Sequence, residues 1–222
     1  METVTGIRSL AETWSFKRVV RSLNGEIEAA GSKNALLPIL AATLLTDEPC
    51  RIKNIPLIQD GENALVILQN LGAKIVRQGD EVLIDSANLN SFQPPVEVVR
   101  KFRGSVLFAG ALLGRCKKVL MPYPGGDIIG NRPLDVHLEA FRTLGADISQ
   151  TPDHFLKIEA TRLRGAKIVL SEISVTATEN ALLAGVLAEG ETIIKLAATE
   201  PHIQDLAVFL KKMGAKIEGA GT

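Results

Sequence analysis

The sequence predicts an α/β domain of three repeated units, with three buried helices in the centre and sheets and surface helices outside. The first observation is a recurring phrase: LGAKI at residues 71–75, LGADI at 144–148 and MGAKI at 213–217. The second is that an amphipathic helix pattern precedes each phrase and a strand pattern follows it. The third is a run rich in Leu, Ala and Gly in each unit, which has no polar stripe and is typical of a buried helix.

Within each unit the elements follow the same order: buried helix, strand, surface helix and hairpin. The buried helices are predicted from residues 34, 104 and 180, and the strands at RIKNI, KKVLM and TIIKL. The surface helices are predicted at ALVILQN, HLEAFRT and LAVFLKK, and QGDE is typical of a hairpin turn. The glycine in each recurring phrase is the expected helix stop, because glycine enters the left-handed region at little cost. A period of about 70 residues indicates copies stacked around a common core.

The two ends of the sequence bear on domain organisation. Residues 1–15 match no unit and are expected to be a tail, and residues 16–222 form one domain with units at about 23–90, 91–162 and 163–222. The third unit stops before its second hairpin strand, and FKRVV near the start reads like such a strand. We expect that these terminal strands either pair and close a ring or belong to a further, absent domain. Unpaired edge strands are also compatible with a strand-swapped homodimer.

Composition excludes several classes of function. The 222 residues are 46% hydrophobic and 23% charged, as in a globular domain with a large core. A net charge of zero without a Lys/Arg run argues against nucleic acid, and 4% aromatic residues argue against base stacking. No apolar window is long enough for a membrane span, and no secretory signal precedes the domain. Cys50 and Cys116 lack metal-binding spacing and suggest a reducing compartment, so we expect a cytoplasmic protein without a metal.

One connection between strand and surface helix differs from its two counterparts. The second unit has MPYPGGDIIGNRPLD, whereas the first has NIPLIQDGEN and the third AATEPHIQD. Its glycines, Gly125, Gly126 and Gly130, would let the backbone approach a ligand closely. The alternative is a tolerated insertion, but the loop also carries Asp127, Arg132, Asp135 and His137, which favours a functional role.

Charged residues recur where the buried helices begin. Lys33 follows Gly-Ser at the start of the first helix, and Arg103 precedes the second. The third start, SVTATEN, offers hydroxyl groups and an amide but no cation. Helix N-termini favour anions, and in a ring of three units these positions would face one another, with Arg132 added from the loop. Such a pocket suits a small ligand with several negative charges. By contrast, His154 and His202 stand isolated in the sequence, and no Ser-His-Asp or metal arrangement is visible.

Four stretches carry a family resemblance: GSKNALLPILAATLL, PGGDIIGNRPLDVHLEAFRTLGA, SVTATENALLA and TEPHIQDLAVFLKKMGAKIEGAGT. Together they resemble the UDP-N-acetylglucosamine 1-carboxyvinyltransferases, a branch of the enolpyruvyl transferase family, from about residue 16 to the end. The resemblance implies an inside-out α/β barrel of three repeated units in each of two domains. It also implies that this chain corresponds to the N-terminal domain, with the C-terminal domain missing and the active site between the two.

The activity implied by the resemblance needs no cofactor. The enolpyruvyl group of phosphoenolpyruvate would pass to the 3′-hydroxyl of UDP-N-acetylglucosamine through a tetrahedral ketal phosphate, releasing phosphate in peptidoglycan precursor synthesis. The family's catalytic base and another substrate-binding arginine lie in the second domain, so the isolated chain is expected to lack turnover. The alternatives are a non-catalytic UDP-sugar-binding or assembly module of the same fold, and the sister enolpyruvylshikimate-phosphate synthase.

The resemblance also implies roles for individual residues. Lys33 and Asn34 would contact phosphoenolpyruvate and the sugar substrate, while Arg103 and Arg132 would bind the anionic groups of the two substrates. Asp127 would donate the proton to the methylene carbon of phosphoenolpyruvate. Two stretches would hold the UDP-sugar, at its uridine end and at its diphosphate respectively: Arg132, Pro133, Leu134, Asp135 and Val136, and then Glu172, Ile173, Ser174 and Val175.

Asp127 departs from the commonest family pattern, which has cysteine at this place, although a minority of members carry Asp. A carboxylic acid can still deliver a proton. A free carboxyl titrates near roughly 4 and a thiol near roughly 8.5, so Asp127 would need burial or neighbouring anions to stay protonated. Because the thiol-alkylating antibiotic fosfomycin finds no sulfur at this position, the resemblance implies resistance to it.

Overall fold

The computed structural model describes residues 4–5, 15–16, 24–126 and 133–222. The helices within these ranges are α1 Lys33–Ala42, α2 Gln59–Asn70, α3 Val96–Val99, α4 Leu107–Cys116, α5 Asp135–Thr143, α6 Val175–Gly185 and α7 Pro201–Lys212. The strands are β1 Val4–Thr5, β2 Ser15–Phe16, β3 Cys50–Ile52, β4 Lys74–Gln78, β5 Glu81–Asp85, β6 Lys118–Pro122, β7 Asp147–Gln150, β8 Phe155–Glu159, β9 Lys167–Val169 and β10 Ile193–Lys195.

Three helices, α1, α4 and α6, form the centre of the core, as the apolar runs predict. Helix α4 packs against both α1 and α6, and side chains such as Leu40 and Leu112 are fully buried. A 3-10 helix at Arg103–Val106 leads into α4. Helix α6 begins at Val175 and not at the predicted residue 180, because the Ser174 side chain caps it by accepting a hydrogen bond from the Ala177 amide at 3.4 Å.

Two three-stranded antiparallel sheets have the same construction. Their strand orders are β3-β5-β4 and β6-β8-β7, so in each a hairpin follows the surface helix and its second strand pairs with the strand before that helix. The QGDE turn predicted between β4 and β5 is confirmed, with Gly79 at a φ of 63°. Each sheet buries one face, shown by Val82 and Ile84 in β5 and by Leu156 and Ile158 in β8.

The third part of the chain forms a different sheet. Strand β9 pairs in parallel with β10, and α6 connects them. The predicted strand after the third recurring phrase is wrong, because residues 215–218 carry no strand assignment. A strand needs a hydrogen-bonded neighbour, and among the described strands β9 and β10 pair only with each other. The predicted pairing with FKRVV falls on residues 17–20, which lie outside the described residues, as does most of the predicted tail.

The three predicted glycine helix stops are confirmed. Gly72, Gly145 and Gly214 have φ values of 107°, 97° and 103°, directly after α2, α5 and α7. This left-handed conformation is strained for residues with a side chain, so the glycines end each surface helix at a defined place. At Gly72 the space is also restricted, since an added Cβ would lie 2.7 Å from the Asn88 carbonyl oxygen. Because of these glycines the chain reverses direction after each surface helix, and after α2 and α5 it continues into the strands β4 and β7.

Candidate functional site

A cleft of about 630 Å³ opens where the starts of the three central helices converge. Its lining comes from the beginnings of α1 and α6, from the 3-10 helix before α4, and from the region around the start of α7. The lining residues are Lys33, Asn34, Leu37, Asp60, Lys101, Phe102, Arg103, Gly104, Leu107, Gly126, Val175, Thr176, Glu179, Glu200 and His202. The expectation that these helix starts face one another is met within the described residues.

The start of α1 presents Lys33 and Asn34 to the cleft. Ser32 caps this helix by accepting a hydrogen bond from the Ala35 amide at 3.3 Å, which fixes the direction in which the following side chains leave the backbone. The Lys33 ammonium lies 2.7 Å from a carboxylate oxygen of Asp60 in α2, and 55% of the lysine side chain remains exposed. Lys33 therefore reaches the cleft as part of an ion pair that the sequence did not reveal, while remaining accessible to a ligand.

Arg103 enters the cleft from the first residue of the 3-10 helix. Its guanidinium Nη2 donates to the Pro133 carbonyl oxygen at 3.4 Å, which links this helix start to the segment before α5. Gly125 and Gly126 lie against the same helix start, because the Gly125 amide bonds to the Val99 carbonyl oxygen at 3.2 Å and a Cβ on Gly126 would lie 2.9 Å from the Arg103 amide nitrogen. The two glycines thus let the loop approach the chain's own backbone, whereas the sequence argument assigned that close approach to a ligand.

The rest of the glycine-rich connection between β6 and α5 is only partly described. Asp127, Gly130 and Arg132 lie outside the described residues, so their predicted roles stay predictions. Directly after the gap, Pro133 and Asp135 are exposed, whereas the side chains of Leu134 and Val136 are buried in the core. These four residues do not line the cleft. The Leu134 and Val136 side chains are therefore not available to a ligand here.

His137 in α5 joins this segment to α6. The imidazole is 4% exposed, and its Nε2 lies 2.9 Å from the Thr176 hydroxyl at the mouth of the cleft. Burial, and after it the positive charge of Arg103, lowers the pKa of His137 to about 4. The ring is therefore neutral at ordinary pH and acts as a hydrogen-bonding link between two helices.

The start of α6 contributes Val175 and Thr176 to the cleft. Of the four residues predicted there to hold a diphosphate, Val175 lines the cleft, while Ser174 is partly buried and caps the helix. Glu172 and Ile173 are exposed outside it, with Ile173 68% exposed. The start of α6 thus lies at the cleft, whereas the side chains of Glu172 and Ile173 lie on the surface.

Three titratable residues that sequence reasoning missed lie together on one wall of the cleft. Glu179 in α6 is 2% exposed, and its Oε1 lies 4.0 Å from Nε2 of His202 in α7, next to Glu200 at the start of α7. The interpretation of His202 as isolated is wrong, because the fold joins residues that are more than 20 positions apart. Burial, and then the neighbouring charge of Glu200, raises the pKa of Glu179 to about 8. One signal was available: Glu179 is a carboxyl within an otherwise apolar helix pattern.

Groups of both charges therefore line the cleft. Lys33 and Arg103 supply positive charge, as expected, and Lys101 adds to it. The negative contribution was not expected: Asp60 pairs with Lys33, and Glu179 and Glu200 lie near His202, so the prediction of a pocket dominated by cations is incomplete. A ligand that fits this lining would carry an anionic part for the cations and an uncharged polar part for Glu179 and Glu200.

Three further properties concern the described part of the chain only. No helix there is both long enough and apolar enough to cross a bilayer. Nor do three or more His, Cys, Asp or Glu side chains in the described ranges lie close enough together to hold a metal ion. Both cysteines are free, with Cys50 buried and Cys116 partly buried.

Comparison with known proteins decides the family. The family model described as EPSP synthase (3-phosphoshikimate 1-carboxyvinyltransferase) matches residues 17–222. The chain belongs to the EPSP synthase family. Membership confirms the recognition of an enolpyruvyl transferase that the GSKNALL, NRPLDVH and TEPHIQD motifs predict.

Curated relatives point to one branch of this family. A UDP-N-acetylglucosamine 1-carboxyvinyltransferase 1 of Carboxydothermus hydrogenoformans is 48% identical over 200 residues, which are 90% of this chain and 47% of the relative. A UDP-N-acetylglucosamine 1-carboxyvinyltransferase of Coxiella burnetii is 46% identical over 201 residues, 90% of this chain and 46% of the relative. The chain thus spans about half the length of the curated relatives it matches.

Solved structures support the fold. The enolpyruvyl transferase NikO from Streptomyces tendae superposes with a TM-score of 0.77 at 24% identity, over 90% of this chain and 47% of that protein. An EPSP synthase from Acinetobacter baumannii gives a TM-score of 0.68 at 22% identity, over 88% of this chain and 45% of that protein. The mixed helix and strand architecture is therefore that of the enolpyruvyl transferases.

Proposed function

We propose that this chain forms one half of an enolpyruvyl transferase that moves the enolpyruvyl group of phosphoenolpyruvate to the 3′-hydroxyl of UDP-N-acetylglucosamine and releases phosphate. The observation that carries the proposal is the cleft in which the starts of three central helices meet, with Lys33 and Arg103 on its rim. Helix N-termini and cations together stabilise anionic groups. Phosphoenolpyruvate carries a phosphate and a carboxylate, and UDP-N-acetylglucosamine carries a diphosphate. Identity of 44–48% over about 90% of the chain to relatives named for this reaction supports it.

The proposed architecture is an inside-out α/β barrel of three repeated units, at about residues 23–90, 91–162 and 163–222. The identical strand orders of the two three-stranded sheets and the three left-handed glycines after the surface helices support this proposal. A second domain would complete the enzyme and supply the catalytic base and a further arginine. A cytoplasmic location and a strand-swapped homodimer belong to the same proposal.

Individual roles follow from the resemblance. Lys33 and Asn34 would contact phosphoenolpyruvate and the sugar, and Arg103 the anionic part of the UDP-sugar, which agrees with their place on the lining. Asp127 would donate the proton to the methylene carbon, and Arg132 would bind phosphoenolpyruvate. The remaining proposed contacts with the UDP-sugar come from Pro133, Asp135, Glu172, Ile173, Ser174 and Val175, and from the backbone of Leu134 and Val136, whose side chains are buried.

Two other functions remain as alternatives. The matching family model is named for 3-phosphoshikimate, so the sister reaction on shikimate 3-phosphate is the first. The second is a non-catalytic UDP-sugar-binding or assembly module of the same fold. We favour the UDP-sugar because curated relatives at 44–48% identity carry that substrate in their names.

Isothermal titration calorimetry of the chain with UDP-N-acetylglucosamine and with shikimate 3-phosphate shows which of the two substrates it binds. We expect weak binding of the UDP-sugar and none of shikimate 3-phosphate, and a Lys33→Ala, Arg103→Ala double variant should lose at least roughly 10-fold in affinity, since each charge-assisted contact contributes about 1.5–3 kcal/mol. Preference for shikimate 3-phosphate would contradict the proposal.

A chimera in which residues 17–222 replace the matching half of the Carboxydothermus hydrogenoformans relative tests catalysis. We expect phosphate release from phosphoenolpyruvate and UDP-N-acetylglucosamine by the chimera, none by the isolated chain, and no inhibition by fosfomycin. An Asp127→Cys chimera is the matched control and should become sensitive to fosfomycin, because it regains the thiol. A folded chimera that binds the UDP-sugar but releases no phosphate would favour the non-catalytic module.

A further inference from the structure

Glu179 holds an unusual position for a carboxyl group. It lies in α6 one turn after Val175, so the two side chains share the face of the helix that lines the cleft. Although only 2% of Glu179 is exposed, its Oε1 has no hydrogen-bond partner among the described residues. The same is true of Oε2 of Glu200 and of Nε2 of His202. Three buried polar atoms without a hydrogen-bond partner thus belong to residues that line the same cleft.

Such an arrangement is costly for a protein that has no use for it. Buried polar groups in folded proteins are almost always hydrogen-bonded, and an unpaired carboxyl destabilises the fold. Burial and the charge of Glu200 raise the pKa of Glu179 to about 8, so this group carries its proton at neutral pH. A protonated carboxyl both donates and accepts a hydrogen bond, whereas the Glu200 carboxylate only accepts.

The surroundings decide which chemical group this wall can bind. The charged and titratable groups that face the cleft end of α6 come from the neighbouring helices and connections: Lys33, Asp60, Lys101, Arg103, His137, Glu200 and His202. Glu200 repels an anion from this side, whereas the charge of Asp60 is paired with that of Lys33. A neutral group with both a donor and an acceptor fits, and a sugar hydroxyl or an amide is such a group.

We propose that Glu179, Glu200 and His202 form a hydrogen-bonding subsite that takes a hydroxyl or amide group of the sugar part of the ligand. This inference rests on the proposed function, because that function supplies the sugar. Phosphate groups would lie against Lys33 and Arg103, and the sugar would extend toward Glu179. Loss of the proton from Glu179 removes its donor and adds a second negative charge next to Glu200, so binding of the sugar weakens as the pH rises through about 8.

The test compares two probes, UDP-N-acetylglucosamine and UDP, on the full chain at about pH 7 and about pH 9. For UDP-N-acetylglucosamine we expect the dissociation constant of the wild-type chain to rise about 10-fold across this range, because the protonated fraction of a group with a pKa near 8 falls by that factor. Glu179→Gln keeps a neutral donor and acceptor and should show only the pH dependence that the ligand itself brings. UDP should show the same profile with both proteins, since it lacks the N-acetylglucosamine group.

Controls separate this inference from the proposed function. Glu191→Gln changes an exposed glutamate outside the cleft and should keep the wild-type profile. Far-UV circular dichroism at each pH distinguishes lost binding from lost structure. Identical profiles for the wild-type chain and Glu179→Gln with UDP-N-acetylglucosamine would overturn the subsite and leave the proposed function intact, as would a 10-fold loss for UDP alone. A wild-type chain that binds neither probe at either pH would overturn both.

Discussion

Replacing Asn180 with leucine is expected to lower the free energy of unfolding by about 3 kcal/mol. The Asn180 side chain is fully buried in α6 and clamps one turn of α4. Its Oδ1 accepts a hydrogen bond from the Gly110 amide at 2.8 Å, and its Nδ2 donates to the Val106 carbonyl oxygen at 3.2 Å. Leucine makes neither hydrogen bond. Its branched end is also crowded by α4, because the two helices approach so closely that a Cβ on Gly110 would lie 2.7 Å from the Asn180 carbonyl oxygen.

The chain offers a matched control for this variant. Asn34 precedes the same Ala-Leu-Leu sequence in α1 but is exposed at the cleft. Asn34→Leu should change the free energy of unfolding by no more than about 0.5 kcal/mol, because a surface substitution disturbs no buried partner. Urea denaturation of both variants measures the difference. Equal effects would show that the clamp between α4 and α6 contributes nothing specific.

Glu179→Gln is expected to stabilise the folded chain, by about 4 kcal/mol at about pH 8. The pKa of Glu179 is raised from 4.5 to about 8 by burial and by Glu200, so the folded chain must keep a proton that the unfolded chain releases. The stability that this group supports is fully present below about pH 4.5 and is lost as the pH rises through about 8. Glutamine removes this loss because it has no proton to release.

The pH profile gives this prediction a distinctive signature. His137 acts in the opposite direction, because its pKa is lowered from 6.5 to about 4 and its contribution is lost as the pH falls through that range. Between about pH 6.5 and pH 8 only Glu179 of the two changes, so the wild-type free energy of unfolding should fall by about 2 kcal/mol there, while that of Glu179→Gln stays level. Urea denaturation at several pH values measures both curves. A wild-type curve that is flat over this range would contradict the buried, protonated carboxyl.

Repetition made most of the fold predictable from the sequence. The phrase around Gly72, Gly145 and Gly214 marks the end of each surface helix because only glycine adopts the required φ without strain. The hairpins after the first two phrases follow from the alternation that places Val82 and Leu156 on the core face. The third phrase led to a wrong strand prediction. Its sequence pattern matches that of the first two phrases, but a strand also needs a hydrogen-bonded partner strand, which a local pattern does not specify.

The cleft was predictable in part for the same reason. Lys33 and Arg103 could be placed together because they occupy equivalent positions in repeated units. Asp60, Glu179, Glu200 and His202 could not, since they belong to different elements whose approach is set by the packing of α6 against α7 and of α1 against α2. Sequence spacing reports neighbours on one helix, whereas these contacts join separate helices. Glu179 affects both the stability of the folded chain and, in the proposed subsite, ligand binding, so both pH-dependent predictions concern this residue.

The convergence of three helix starts on one ligand site is the central claim, and amide chemical-shift mapping of the isotope-labelled chain with UDP-N-acetylglucosamine tests it most directly. We expect the signals of Lys33, Arg103 and Thr176 to shift together with one apparent affinity, because their helices open into the same cleft. Shifts confined to one of these helix starts, or located on the β9–β10 sheet while all three signals stay unchanged, would contradict the claim.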